Sequence, residues 1–168
     1  AMIAMQLSEA ARALNAEFKG VNADFRSVST DTRTLQPGAL FVALCGENFD
    51  GHDFVEQARM AGAAAAVVSR AVDTTLPLLL VDDTRLALGR LAAAHRAARS
   101  LSVVAVTGSN GKTTVKEMVA AILAQRGPVL ATRGNLNNDI GMPLTLLRLA
   151  PEHTFAVLEM GANHPGEI

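Results

Sequence analysis

Residues 103–114 read Val-Val-Ala-Val-Thr-Gly-Ser-Asn-Gly-Lys-Thr-Thr, an apolar run that feeds a glycine-containing loop and closes on Lys112 and Thr113. No other segment restricts the fold as much. It predicts a short apolar strand, a turn whose backbone N–H groups converge, and a helix starting at Lys112 whose positive dipole end faces that turn. The chemistry is equally restricted, because a lysine there reaches the β- and γ-phosphates of a bound triphosphate and the Thr113 hydroxyl is an oxygen ligand for Mg2+. The spacing G-x-x-x-x-G-K-[ST] is only partly met, since Val106 occupies the first glycine position and the extra glycine is Gly108. A tight turn joining strand to helix would explain Gly108 and Gly111 but not Lys112-Thr113-Thr114. The candidate phosphate contacts are therefore Thr107, Gly108, Ser109, Asn110, Gly111, Lys112, Thr113 and Thr114, with Lys112 as the catalytic charge.

Periodicity extends the pattern. The helix is expected over 112–126, with Val115, Met118, Val119 and Ile122 inward and a stop at Gly127-Pro128. A strand over 129–132, a helix over 143–149 with Pro143 at its first position, and a strand over 154–160 follow. Strand, helix, strand, helix, strand implies a parallel sheet with right-handed crossovers. The span 101–168 is short for a nucleoside-triphosphatase core, so the sheet is expected to be incomplete and the chain a fragment.

Glu159 is the first charge after Phe155-Ala156-Val157-Leu158. Ligands of open parallel sheets lie at the carboxyl ends of the strands, so Thr113 and Glu159 should share one crevice and one Mg2+; the alternative is a solvated strand-end glutamate. Asp82 and Asp83 end a similar apolar run, but they precede the phosphate loop, and one of them is expected to cap the helix beginning near Thr84.

The first hundred residues predict a smaller α/β unit. Leu7, Ala10, Ala11 and Leu14 mark a short helix. Strands over 25–30 and 39–44 are joined by Leu35-Gln36-Pro37-Gly38, a type II turn. A helix over 53–61 and apolar strands over 64–69 and 78–82 complete it. A long helix then runs from about Thr84 to Arg99 with Leu88, Leu91, His95 and Ala98 near one face, His95 being expected as a packed or half-exposed residue rather than a ligand.

Fifteen basic and sixteen acidic residues give a net charge of -1, which leaves no general field for nucleic acid or an anionic membrane. One cysteine, Cys45, excludes an intramolecular disulfide and a multi-cysteine zinc site; it is expected as a small buried residue. No run reaches about 18 apolar residues and no export signal opens the chain, so a cytoplasmic protein without a membrane span is expected.

Three polar stretches remain. Thr132 to Gly141 holds Asn135, Asn137 and Asn138, whose amides can orient a polar ligand without adding charge, although an ordinary turn-rich loop has the same composition. Ser29-Thr30-Asp31-Thr32-Arg33 follows one strand, with Arg33 offering a fork for phosphate. Gly46-Glu47-Asn48-Phe49-Asp50-Gly51-His52 follows another. Surface turns would also account for both. His164 is either a phosphate or metal contact or a solvent-facing loop residue.

Together these segments resemble the Mur ligase family, ATP-dependent amide ligases of cell-wall synthesis, over essentially the whole chain. Thr107 to Thr114 matches that family's phosphate loop. Asp31-Thr32-Arg33, Pro37 to Leu44 and Asp50-Gly51-His52 are similar to its UDP-sugar-binding N-terminal domain. The closing stretch Glu159 to Ile168 resembles the member that joins D-alanyl-D-alanine to UDP-N-acetylmuramoyl-tripeptide. The resemblance implies an N-terminal UDP-substrate domain over 1–100, followed over 101–168 by the start of a P-loop parallel-sheet ATPase domain. It also implies ATP and Mg2+ as cofactors and a monomer. Substrate contacts would come from Ser29, Thr30, Asp31, Arg33, Gly46, Asp50, His52, Asn135, Asn137 and Asn138, and metal ligation from Thr113 and Glu159.

Other readings stay open: a tripeptide-forming or folylpolyglutamate synthetase-like ligase, or a nucleotide-binding module without catalysis. A GTP switch is disfavoured, since none of Lys19, Lys112 and Lys116 follows an asparagine.

Overall fold

In the computed structural model, which describes residues 3–162, the chain divides within one helix into two units, Ala1–Leu91 and Ala92–Ile168. His164 lies outside the described residues.

The first unit contains β1 (Met5–Gln6), α1 (Leu7–Leu14), β2 (Glu17–Lys19), β3 (Asp24–Phe25), β4 (Ser27–Ser29), β5 (Ala39–Val42), a 3₁₀ turn (Gly51–Phe54), α2 (Val55–Met60), β6 (Ala65–Val68) and β7 (Leu78–Leu80). Its five-stranded sheet has the order β2-β7-β6-β5-β4, parallel except where β2 pairs antiparallel with β7. Every residue of β5 and β6 is buried, as expected of parallel strands covered on both faces. Val55 and Ala58 of α2 join Leu35, Phe41, Val68 and Leu78 in one core cluster. The turn before β5 forms as expected: Ala39 N–H donates to Gln36 O at 3.1 Å and Gly38 has φ 82°.

Two expectations change here. The strand foreseen over 25–30 is divided at Arg26. Phe25 pairs antiparallel with Met5 in a separate two-stranded sheet, while Ser27 begins the pairing with Ala39. Cys45 is exposed rather than buried, because β5 ends at Val42 and the chain has left the sheet by Cys45, which bridges to Asp50.

Helix α3 (Thr84–Ala97) links the units, and Asp83 caps it by accepting from the N–H groups of Arg85 (2.8 Å) and Leu86 (3.0 Å). The second unit continues with β8 (Ser102–Val106), α4 (Lys112–Leu123), β9 (Val129–Ala131), α5 (Gly141–Leu146) and β10 (Phe155–Glu159). Its sheet is fully parallel with the order β8-β10-β9, and Glu159 lies level with Val106. Leu130, Leu149 and Ala156 form its core, flanked by Leu101 and Leu146. His95 is buried; its ring donates from Nε2 to the Leu149 carbonyl at 2.9 Å, and desolvation holds its pKa below the usual histidine value.

The face of α4 differs from expectation. Val115, Met118 and Ile122 are exposed, and Lys116 is buried at 1% exposure. The less exposed positions are Lys112, Lys116, Val119, Ala120 and Leu123, a helical stripe rotated about a quarter turn from the apolar one at 100° per residue. Lys112 and Lys116, four residues apart, share one face of α4, and the neighbouring apolar face is left uncovered by the three strands of this unit. Helix α5 starts two residues before Pro143, because the Asn138 side chain accepts from Gly141 N–H at 2.7 Å and from Ile140 N–H at 3.3 Å and so caps the earlier turn.

Candidate functional site

The phosphate loop of the second unit runs openly from Thr107 to Gly111, exposed throughout, and α4 begins at the next residue. Gly108 (φ 141°) and Gly111 (φ 76°) hold backbone conformations that side chains rarely adopt, which lets the loop curl and present its N–H groups at the helix N-terminus. Lys112 folds back over this loop, its Nζ donating to Gly108 O at 2.7 Å. Thr114 is exposed on the first turn of α4.

Thr113, in the first turn of α4, and Glu159, at the end of β10, face one crevice as expected. The Thr113 hydroxyl donates to Glu159 Oε2 at 3.0 Å, and Asn137 Nδ2 donates to Glu159 Oε1 at 3.0 Å. Glu159 is only 3% exposed, so it is not the solvated strand-end residue that was the alternative. Among the described residues its carboxylate oxygens are bonded by neutral donors. A buried carboxylate without a cation is costly, and one hydroxyl with one carboxylate oxygen is a hard donor set that suits Mg2+. The residues present fit that ion.

The three asparagines separate by role. Asn137 reaches Glu159 and its carbonyl accepts from Gly161 N–H at 2.8 Å; Asn138 caps α5; Asn135 lies exposed, its carbonyl accepting from Asn137 N–H at 2.8 Å. Thr132 and Lys116 complete the cluster and were not foreseen. Thr132 Oγ1 accepts from Glu159 N–H at 2.9 Å, and Lys116 Nζ donates to Thr132 O at 2.7 Å. The signal for Lys116 was its place four residues after Lys112, on the same helical face.

In the first unit, the residues after β4 and β5 form a pocket of about 560 Å³ lined by Thr30, Asp31, Thr32, Arg33, Phe41, Phe49, Gly51, Phe54 and Gln57. It opens at the carboxyl ends of parallel strands, where such sheets bind ligands. Of the foreseen substrate residues, Thr30, Asp31 and Arg33 line it. Ser29 supports them, its hydroxyl donating to Asp31 O at 2.9 Å. The Arg33 fork is held by Asp31 through Nε–Oδ1 (3.0 Å) and Nη2–Oδ2 (2.7 Å), a pairing that, with the Arg33 backbone N–H, lowers the Asp31 pKa to about 2. Gly46 sits under the Phe49 ring: a Cβ there would lie 2.7 Å from Phe49 Cε1. The aromatic lining was missed, and an exposed phenylalanine within a polar loop was its signal.

His52 and Asp50 do not line the pocket. His52 is 3% exposed; its Nε2 accepts from Ser69 N–H at 2.9 Å, which leaves the proton on Nδ1 to donate to Asp50 Oδ1 at 2.6 Å. The His52 backbone N–H, its ring and Arg70 hold the Asp50 carboxyl well below the usual range. Cys45 Sγ, Asp50 and His52 place ligand-type atoms within 4.8 Å of one another. A metal there needs the Nδ1 lone pair, which this tautomer does not offer. The thiol is also pushed up, by local desolvation and then by Asp50, away from the thiolate that metals take. The cluster is a hydrogen-bonded brace.

Known proteins resemble both units. A family model described as "Mur ligase family, catalytic domain" matches residues 24–125, and one described as "Mur ligase middle domain" matches 106–167. The UDP-N-acetylmuramoyl-tripeptide--D-alanyl-D-alanine ligase of Escherichia coli (strain K12) is 59% identical over 167 residues, which is 99% of this chain and 37% of that protein. A crystal structure of MurF from Acinetobacter baumannii superposes with a TM-score of 0.93 at 44% identity, over 99% of this chain and 38% of that one. The MurF ligase from Thermotoga maritima in complex with ADP gives a TM-score of 0.77 at 38% identity, over 85% and 34%. The chain thus spans little more than a third of the length of these relatives.

Proposed function

The chain belongs to the Mur ligase family, and we propose that it is part of an ATP-dependent amide ligase of peptidoglycan precursor synthesis, which adds D-alanyl-D-alanine to UDP-N-acetylmuramoyl-tripeptide. Residues 1–100 act as the UDP-substrate domain and 101–168 as the first part of the ATP-binding domain. The observation that carries this reading is the Thr113–Glu159 pair beside a glycine loop closed by Lys112. The similarity to ligases of that name, one of them in complex with ADP, supports it. No helix among the described residues is long and apolar enough to cross a membrane.

In this reaction the terminal carboxylate of the tripeptide forms a bond to the γ-phosphorus of ATP as the bond to ADP breaks, giving an acyl phosphate. The dipeptide amine then bonds to the acyl carbon, phosphate leaves, and the nitrogen gives up a proton. When bound, Mg2+ supplies charge neutralisation at the transferring phosphoryl group, and Thr113 and Glu159 would hold it. The loop from Thr107 to Thr114 grips the phosphates through N–H groups and hydroxyls. Lys112, now on Gly108 O, swings to the phosphate and offsets charge as it develops. Asn137 orients the Glu159 carboxylate. In the first unit, Thr30 and Arg33 meet the UDP portion and the phenylalanines take its flat ring.

Lys112→Ala in the full-length protein tests the assignment. ADP formation dependent on the UDP-tripeptide should fall about 10²- to 10³-fold, the usual cost of losing a preorganised charge at a transferring group, with folding retained. A rate above half of the unsubstituted one would show that the loop does not carry the reaction.

A further inference from the structure

We infer that Lys116 is a positioning residue for the metal-binding carboxylate, acting on Glu159 through Thr132. The inference rests on the ligase reading and adds to it a residue that touches neither nucleotide nor metal. Position 116 faces the sheet, where a helix ordinarily places an apolar side chain. A 1%-exposed ammonium there loses its hydration and needs strong partners. It has two, the Thr132 carbonyl at 2.7 Å and Glu117 Oε1 at 2.7 Å.

Thr132 is the residue at which β9 leaves the sheet. Its N–H still donates to Val157 O at 3.0 Å, completing the pairing with β10. Its carbonyl takes the Lys116 ammonium and its hydroxyl oxygen takes Glu159 N–H at 2.9 Å. All three polar groups of Thr132 are therefore committed, two to β10 and one to α4. Beyond it the chain runs to Asn137, which bonds Glu159 from the other side and receives Gly161 N–H on its carbonyl. Lys116 thus ties the helix that carries Thr113 to the strand end that carries Glu159, and the spacing of the two oxygen ligands depends on that tie. Lys112 handles phosphate at the helix tip, while Lys116 sets the frame one turn below.

The test uses Lys116→Met in the full-length protein, which keeps length and removes the ammonium. Two quantities are read: the Mg2+ concentration at half-maximal ADP formation, and amide hydrogen exchange at Glu159 in the nucleotide-free protein. Loss of an outer support typically costs 10- to 100-fold in metal affinity, so half-saturating Mg2+ should rise about tenfold or more while KM for the UDP-substrate is unchanged, and the Glu159 amide should exchange faster. If Lys116→Met does not fold, Thr132→Val cuts the same relay one link on, leaves the Lys116–carbonyl bond in place, and should show the same two changes. A folded variant with unaltered Mg2+ dependence and unaltered Glu159 exchange overturns the inference. So does a uniform loss in which KM for the UDP-substrate rises as much as the Mg2+ requirement. Failure of the ligase reading would look different: the unsubstituted protein would form no ADP with Mg2+, while the exchange measurement would still report on the relay.

Discussion

The Thr113 hydroxyl donates to Glu159 Oε2 across 3.0 Å, joining residues 46 apart in sequence, one in the first turn of α4 and the other at the end of β10. A glutamine at 159 can keep both contacts, with its carbonyl oxygen on Asn137 Nδ2 and its amide donating to Thr113 Oγ1. Glu159→Gln should therefore fold like the parent and lose function through charge alone. The expected loss is about 10²- to 10³-fold in kcat for ADP formation by the full-length protein, with melting temperature unaltered. A loss of less than about tenfold would place the metal on other ligands.

Asp50 braces the first unit by accepting from His52 N–H (2.9 Å) and the His52 ring (2.6 Å) and by pairing with Arg70 (3.0 Å). Its folded pKa is depressed, so its contribution to stability is complete above the ordinary value of 3.8 and fades as pH falls below that toward the folded value. Asp50→Asn should be less stable than the parent at neutral pH in denaturant titration, and the gap should narrow as the pH drops below about 4. A gap independent of pH would mean that the brace is not ionic.

What the sequence disclosed follows from how local each feature is. The phosphate loop was legible because its glycines, Lys112 and Thr113 are contiguous and each answers to one requirement of an anion site. The meeting of Thr113 with Glu159 was legible from parallel topology, which gathers strand ends on one side. The face of α4 was only partly legible: the apolar count favours Val115, Met118 and Ile122, which this chain, little more than a third as long as its relatives, leaves exposed, while Lys116 turns to the sheet. β1 and β2 escaped notice because two and three residues are too few to show a period of two, and β2 is held by its antiparallel pairing with β7. His52 looked like a ligand-binding loop residue; its burial depends on Ser69, seventeen residues away, which no local pattern reveals.

The exposure of α4 has a measurable consequence. Met118 is 60% exposed, so Met118→Ala in the 168-residue chain should change unfolding free energy by less than about 0.5 kcal/mol. Leu130→Ala, at a position only 4% exposed within the second core, should cost about 2–5 kcal/mol. Chemical denaturation of both variants decides the matter. A Met118 cost matching that of Leu130 would restore the helix face that the apolar spacing favoured.

Phe49 stands open at the pocket, 54% exposed and seated over Gly46. A flat nucleobase stacked on such a ring gains about 1–3 kcal/mol, so Phe49→Ala should raise KM for the UDP-tripeptide about tenfold while leaving kcat nearly intact, because the ring touches only the part of the substrate that does not react. Gly46→Ala should do the same without deleting the ring. The new methyl would need space 2.7 Å from Phe49 Cε1, which the ring can yield only by swinging off its present seat. If the two effects share one cause, combining Gly46→Ala with Phe49→Ala should cost no more than Phe49→Ala alone, a non-additivity that steady-state kinetics can read directly. Independent, additive losses would show that Gly46 serves the pocket in some way other than seating the ring.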